Sequence, residues 1–178
     1  MNFLRTLRVH RQPGDSCKGI IVANNRIIMC ALGRSGPSVF KHEGDGATPA
    51  HCHLRPISGF FRSDRVLRPK SALVFDALKP DDGWCDAPTH PNYNMPVDLP
   101  FDASHEVMMR DDRLYDLGII LDWNMPVTGR KRYGGSAIFF HLCKSGYTPT
   151  EGCIAVNEPD MRWLLQYIST KTKIIVCR

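Results

Sequence analysis

Apolar and polar positions alternate, or gather into short apolar runs, along most of the chain. Residues 4–10 alternate in part. Residues 19–23 and 26–32 are apolar runs separated by Asn24-Asn25, and because Asn tolerates positive φ the pair predicts a two-residue hairpin turn. Further strands are expected at 53–57, 72–77, 117–123, 136–142, 153–156 and 173–177. They are rich in Ile, Val and Phe and bounded by Gly, Pro and Asp, the pattern of a sandwich or barrel.

Helical spacing is confined to one stretch. Met161, Leu164, Leu165 and Ile168 fall at i, i+3, i+4 and i+7, with Asn157 placed to cap and Pro159 in the first turn, so one helix is expected over 157–169. A shorter helical turn is expected around 104–109. Residues 79–101 hold five Pro with several Asp and Asn and show no periodicity. A segment of that length predicts a loop that lines or covers a site. The fold class is therefore mainly β, with one C-terminal α-helix and short helical turns, in a single domain spanning 1–178.

Composition narrows the function classes. The chain has 178 residues, 43% hydrophobic and 23% charged, enough for one sizeable core. No apolar run approaches the ~20 residues of a membrane span. The first eleven residues contain no apolar signal-peptide centre. That start predicts a chain that stays inside, leaves by another route or has been trimmed. Formal net charge is +5 and Arg outnumbers Lys 15 to 8, which suits carboxylate or phosphate recognition. The longest basic run is Arg130-Lys131-Arg132, with acids interspersed elsewhere, so a mixed solvated surface is expected rather than a nucleic-acid face. The seven Cys form no Cys-x-x-Cys pair. Most are expected reduced and buried, with at least one left unpaired within the chain.

The informative chemistry lies in 134–156. The run Ser136-Ala137-Ile138-Phe139-Phe140 delivers His141, and Thr150-Glu151-Gly152-Cys153-Ile154 follows after a loop. A Cys nucleophile needs a base and a backbone that presents N–H groups to a developing oxyanion. Gly152 permits the tight turn this requires. From spacing alone the expected reading is a buried Cys opening one strand and a His ending another, with the dyad as the alternative.

The segment resembles the L,D-transpeptidase catalytic-domain family through His141, Thr150, Gly152, Cys153 and Ile154. A second stretch, Lys41-His42-Glu43-Gly44-Asp45-Gly46-Ala47-Thr48-Pro49, resembles that family's early Gly-Asp-Gly-x-Thr-Pro signature. A third, Gly83-Trp84-Cys85-Asp86 with Tyr93-Asn94, resembles a subgroup of its short members. The resemblance implies a β-sandwich or barrel of that type and an enzyme acting on the L,D-bond of peptidoglycan stem peptides. Cys153 would be the nucleophile and His141 its base, oriented by the carbonyl of Leu142, with the amides of Gly152 and Cys153 holding the oxyanion. It also implies a cell-envelope location, a monomer and no cofactor.

Glu151 stands where the family usually has His, Ala155 where it has Arg or Asn, and His51 where it has Gly. Only eleven residues separate His141 from Cys153. These departures fall where substrate is recognised, so carboxypeptidase or D-amino-acid exchange activity is expected alongside or instead of crosslinking. Thr150, Glu151, Trp84, Tyr93, His105, Arg130, Arg132 and Tyr133 are the candidate substrate contacts, with Asp116 a further candidate. His51-Cys52-His53, with His42, Cys85 or His90 as a third ligand, is the best metal-like cluster, but exposed or stacked His is the expected reading and no metal is assigned. A non-catalytic β module that binds peptidoglycan or another acidic polymer, with Cys153 structural, is the alternative.

Overall fold

The computed structural model describes residues 3–177. In chain order its elements are β1 (Thr6–Gln12), β2 (Asp15–Ala23), β3 (Arg26–Ala31), β4 (Pro37–Ser38), β5 (Thr48–Pro49), β6 (Pro56–Phe61), β7 (Phe75–Ala77), β8 (Asp82–Cys85), β9 (Met95–Asp98), β10 (His105–Val107), β11 (Leu117–Leu121), a 3-10 turn (Pro126–Thr128), β12 (Phe139–Leu142), β13 (Ile154–Val156), α1 (Glu158–Tyr167) and β14 (Lys173–Cys177). Nine strands form one mixed sheet in the order β14-β1-β2-β3-β13-β12-β11-β6-β7. The pairs β1–β14, β12–β13 and β6–β7 are parallel and the rest antiparallel. The sheet curls until its β14 edge meets the chain leading into β6: His51 N–H donates to Val176 O and Leu54 pairs with Ile174. This is the closed β architecture that the strand pattern predicts.

Side chains alternate across a strand, and here the two faces have different fates. Phe140, Leu142, Ile154, Val156, Leu117, Ile119 and Phe61 face the enclosed core, where Met161, Leu164, Leu165 and Ile168 of α1 also pack. The intervening residues Phe139, Cys153 and Phe60 face outward, into a smaller apolar cluster with Trp84, Met108 and Tyr115. A second sheet, β10-β8-β9, lies over that outer cluster as a flap.

Several expectations are met closely. Asn24 has φ 52° at the β2–β3 turn, and Asn157 caps α1 by accepting Asp160 N–H at 2.8 Å. Others need correction. Residues 105–107 form β10, because antiparallel pairing with β8 outweighs the local helix signal at Ser104. Residues 79–101 hold β8 and β9, a hairpin built across a Pro-rich segment. His51 has φ 56° and β6 begins only at Pro56, so His51 and His53 are not successive residues of one extended strand face.

Candidate active site

Strands β12 and β13 are parallel neighbours in the register Phe140–Ile154 and His141–Ala155. Cys153, just before β13, is therefore level with Phe139, two residues from His141 on the same outward face. Adjacent strands lie about 4.8 Å apart, so this diagonal brings the thiol and the imidazole to one cavity, which both line. Both are nearly covered, at 7% and 4% exposed. Gly118 pairs with His141 on β11, and a Cβ there would meet the Phe60 ring at 2.3 Å. The missing side chain lets Phe60 and Tyr115 pack edge to face beside the imidazole.

The turn before Cys153 is locked from below. Gly152 has φ 135°, a conformation L side chains rarely adopt, and a Cβ there would lie 2.8 Å from Ala47 O. Thr150 Oγ1 accepts Gly152 N–H at 3.2 Å and donates to Cys153 O at 2.7 Å, while Gly33 N–H donates to Thr48 Oγ1 at 2.8 Å. The Gly-Asp-Gly-Ala-Thr-Pro segment is thus the bed on which the Gly152 turn rests.

His141 Nδ1 contacts Leu142 O at 2.8 Å. A carbonyl only accepts, so Nδ1 carries the proton and Nε2 is the basic nitrogen. Burial lowers the imidazole to about 4 and raises the Cys153 thiol to about 12, helped by Glu106. Both groups are consequently neutral near pH 7. The sulfur accepts Phe139 N–H and donates to Ala137 O, each at 3.2 Å, and among the described residues no hydrogen bond joins it to His141. The cavity is about 430 Å³ and carries both charge signs: Lys41 and Arg110 on one hand, Glu43, Asp86 and Glu106 on the other.

Residues 21–176 of the 178 match the YkuD family, the L,D-transpeptidase catalytic domain. The chain belongs to the L,D-transpeptidase catalytic-domain family. No curated protein and no solved structure matches it. Members of this family are peptidoglycan enzymes of the L,D-transpeptidase type, and no helix among the described residues is long and apolar enough to cross a membrane.

Within this L,D-transpeptidase domain, Cys153, His141, Thr150 and Glu151 line the cavity. Glu151 is ion-paired to Arg34 at 2.8 Å rather than free. Gly152 N–H is already donated to Thr150, which leaves the Cys153 amide as the one available to an oxyanion. The remaining candidate contacts are placed elsewhere. Trp84 and Tyr93 are buried structural residues: Trp84 Nε1 donates to Asn94 Oδ1 at 3.0 Å, and the Tyr93 phenol donates to Glu43. Arg130 ties the loop by donating to Tyr93 O and Pro91 O. His105 contacts Ala103 O and meets the Phe101 ring edge to face. Arg132 and exposed Tyr133 do not line the cavity either. Asp116 is buried in an ion-pair cluster with Arg65 and Arg113. No group of three or more metal-ligating side chains with suitable placement occurs among the described residues.

The residues that sequence reasoning missed are Asp86, Glu106, Arg110, Tyr115 and Lys144. Asp86 closes the Gly83-Trp84-Cys85-Asp86 motif, and its position after Trp84-Cys85 is the available signal. The others carry no motif: Glu106 reaches the cavity through the β10–β8 pairing, and Arg110, Tyr115 and Lys144 from segments between strands.

Proposed function

We propose that the chain cleaves the L,D-bond between meso-diaminopimelate and a terminal D-amino acid through a thioester on Cys153, in the L,D-transpeptidase manner. The supporting observation is the convergence of Cys153 and His141 on one cavity from adjacent parallel strands, with Nε2 left basic by the Leu142 contact. The sulfur attacks the carbonyl carbon as its proton passes to His141 Nε2, and the oxyanion takes the Cys153 N–H. Collapse breaks the C–N bond, with the imidazolium returning the proton to the leaving amine. Water or an amine then attacks the thioester, His141 accepts its proton, and the sulfur leaves reprotonated.

Because both groups are neutral near pH 7, proton transfer accompanies attack instead of preceding it. Arg110 and Lys144 line the cavity, and in this reading they meet the stem carboxylates in place of the Arg130–Arg132 loop. The departures at Glu151 and Ala155 favour hydrolysis or D-amino-acid exchange beside crosslinking. The place of action follows the substrate, at the cell envelope, and the whole chain acts as one domain.

The test is incubation with disaccharide-tetrapeptide, reading products by mass. Loss of the terminal D-amino acid, dependent on Cys153, is expected, with a carbapenem adduct on the wild type that Cys153→Ala lacks. An adduct persisting in that variant would assign the nucleophile elsewhere, and no product from the wild type would end the reading.

A further inference from the structure

Charge is divided unevenly along the chain. Residues 1–31 and 171–178 carry eight basic side chains and one acid, Asp15, whereas the remainder carries fifteen basic and seventeen acidic. The surplus that makes the whole chain +5 therefore lies in β1, β2, β3, β14 and their flanks. The part that builds the cavity and the flap has a slight excess of acid.

These four strands are neighbours in the order β14-β1-β2-β3, and their burial alternates. Leu7, Val9, Ile21, Ile28, Ile174 and Val176 enter the core. The residues between them face outward, and the register sets them in rows. Ile175, Arg8, Val22 and Ile27 lie side by side across the four strands, and Cys177, His10, Ile20 and Met29 form the next row. Neither row contains an acid. Within these strands only Lys18, 3.8 Å from Asp15, and Arg26, 2.6 Å from Asp160, find a carboxylate among the described residues. Arg8 and Lys173 do not. Ile27 is 69% and Met29 37% exposed, with Ile20, Val22 and Ile175 half-buried beside them.

Exposed aliphatic side chains set among unpaired cations suit a surface that meets anionic lipid: the apolar groups enter the headgroup boundary and Arg and Lys meet the phosphates. A soluble polyanion would use the cations and leave the aliphatics in water. A single-stranded nucleic acid also calls for aromatic side chains on which to stack its bases, and these strands contain no Phe, Tyr or Trp. β1 and β12 are four strands apart in a sheet of nine that closes on itself, so their outward faces point away from each other.

We propose that the outward face of β14-β1-β2-β3 docks on the surface of an anionic lipid bilayer. Ile27 and Met29 enter the headgroup layer, Arg8 and Lys173 meet lipid phosphates, and the cavity holding Cys153 is turned away from the membrane.

The experiment is co-sedimentation of the full chain with vesicles of phosphatidylcholine alone or with about one-third phosphatidylglycerol, at about 0.1 M and about 0.5 M salt. At low salt the wild type is expected to bind the anionic vesicles at least tenfold more tightly than the neutral ones, and to lose most of that preference at high salt. Arg8→Glu combined with Lys173→Glu is expected to weaken binding at least tenfold. Lys79→Glu combined with Arg132→Glu makes the same change of net charge on exposed residues outside this face, and is expected to weaken it less than threefold. Ile27→Ser is expected to weaken it at least threefold. Ile27 lies outside the core, so that arm stands even where the double reversal unfolds the chain. No binding, equal binding to both vesicles, or equal loss in the two double variants overturns the proposal. No loss in Ile27→Ser does so too, reducing the face to a site for any polyanion. A dimer in sedimentation velocity that Ile27→Ser dissolves also overturns it, assigning the face to a second copy. No arm uses peptidoglycan, so the outcome is independent of the proposed cleavage.

Discussion

Gly152 presses against the carbonyl oxygen of Ala47, where a Cβ would approach to 2.8 Å. Residues about a hundred positions apart in sequence are thereby locked together, and the lock sits directly under Cys153. Gly152→Ala is expected to destabilise the fold by about 1–3 kcal/mol from the positive φ alone, with more from the collision. Its Cys153 alkylation rate is expected to change with it. Urea unfolding and iodoacetamide kinetics check this; a variant equal to wild type in both means the turn relaxes freely.

Protonation of His141 couples to folding. Its folded value of about 4 lies below the ordinary 6.5, so the unfolded chain binds a proton that the folded chain refuses. Stability is fully present above about pH 6.5 and falls as pH drops toward 4, by about 3 kcal/mol for this group. His141→Gln is expected to flatten that slope. Unfolding free energies at pH 4, 5.5 and 7 decide it.

Asn94 joins the flap to the sheet. Its Oδ1 accepts from Trp84 Nε1 at 3.0 Å and from Ala137 N–H at 2.9 Å, and its Nδ2 donates to Trp123 O and Asn124 O. Asn94→Ala strands buried donors at about 1–3 kcal/mol each. Because Ala137 O holds the Cys153 thiol, faster or slower alkylation is expected together with the lost stability. A drop in melting temperature with unchanged thiol kinetics would separate the flap from the sulfur.

Glu151 is held by Arg34, whose guanidinium also reaches Gly44 O. The pair is exposed, so breaking it is expected to cost no more than about 1 kcal/mol. Glu151→His is expected to shift products toward crosslinks while leaving Cys153 acylation intact. An unchanged product ratio removes Glu151 from the acceptor step.

The large strands and α1 were legible because their burial writes a period into the sequence: Met161 to Ile168 repeats with the helix, and Ile27 to Leu32 lies between clear turn signals. The flap was not. Its strands are short, β8 contains Gly83 and β9 contains Pro96, and only pairing with one another makes them strands. The same limit applies to the site. Cys153, His141 and Gly152 stand in contiguous motifs, whereas Glu106 reaches the cavity through the β10–β8 pairing and Arg110 from the segment that follows it, which no local pattern records. The sequence alone puts Trp84 and Tyr93 in the groove because an aromatic in a loop does not declare which way it points.

The two halves of the cavity are built by different means. His141 in β12 and Cys153 just before β13 are set by two adjacent strands in fixed register within the nine-stranded sheet, whereas Glu106 in β10 and Asp86 just after β8 hang from a three-stranded flap joined to it by side chains such as Trp84 and Asn94. Substitutions in the flap can reshape what the cavity admits while the sheet keeps sulfur and imidazole in place. Selectivity is in that sense a replaceable module on a fixed frame, and exchanging residues 82–107 between such domains is the way to transplant it.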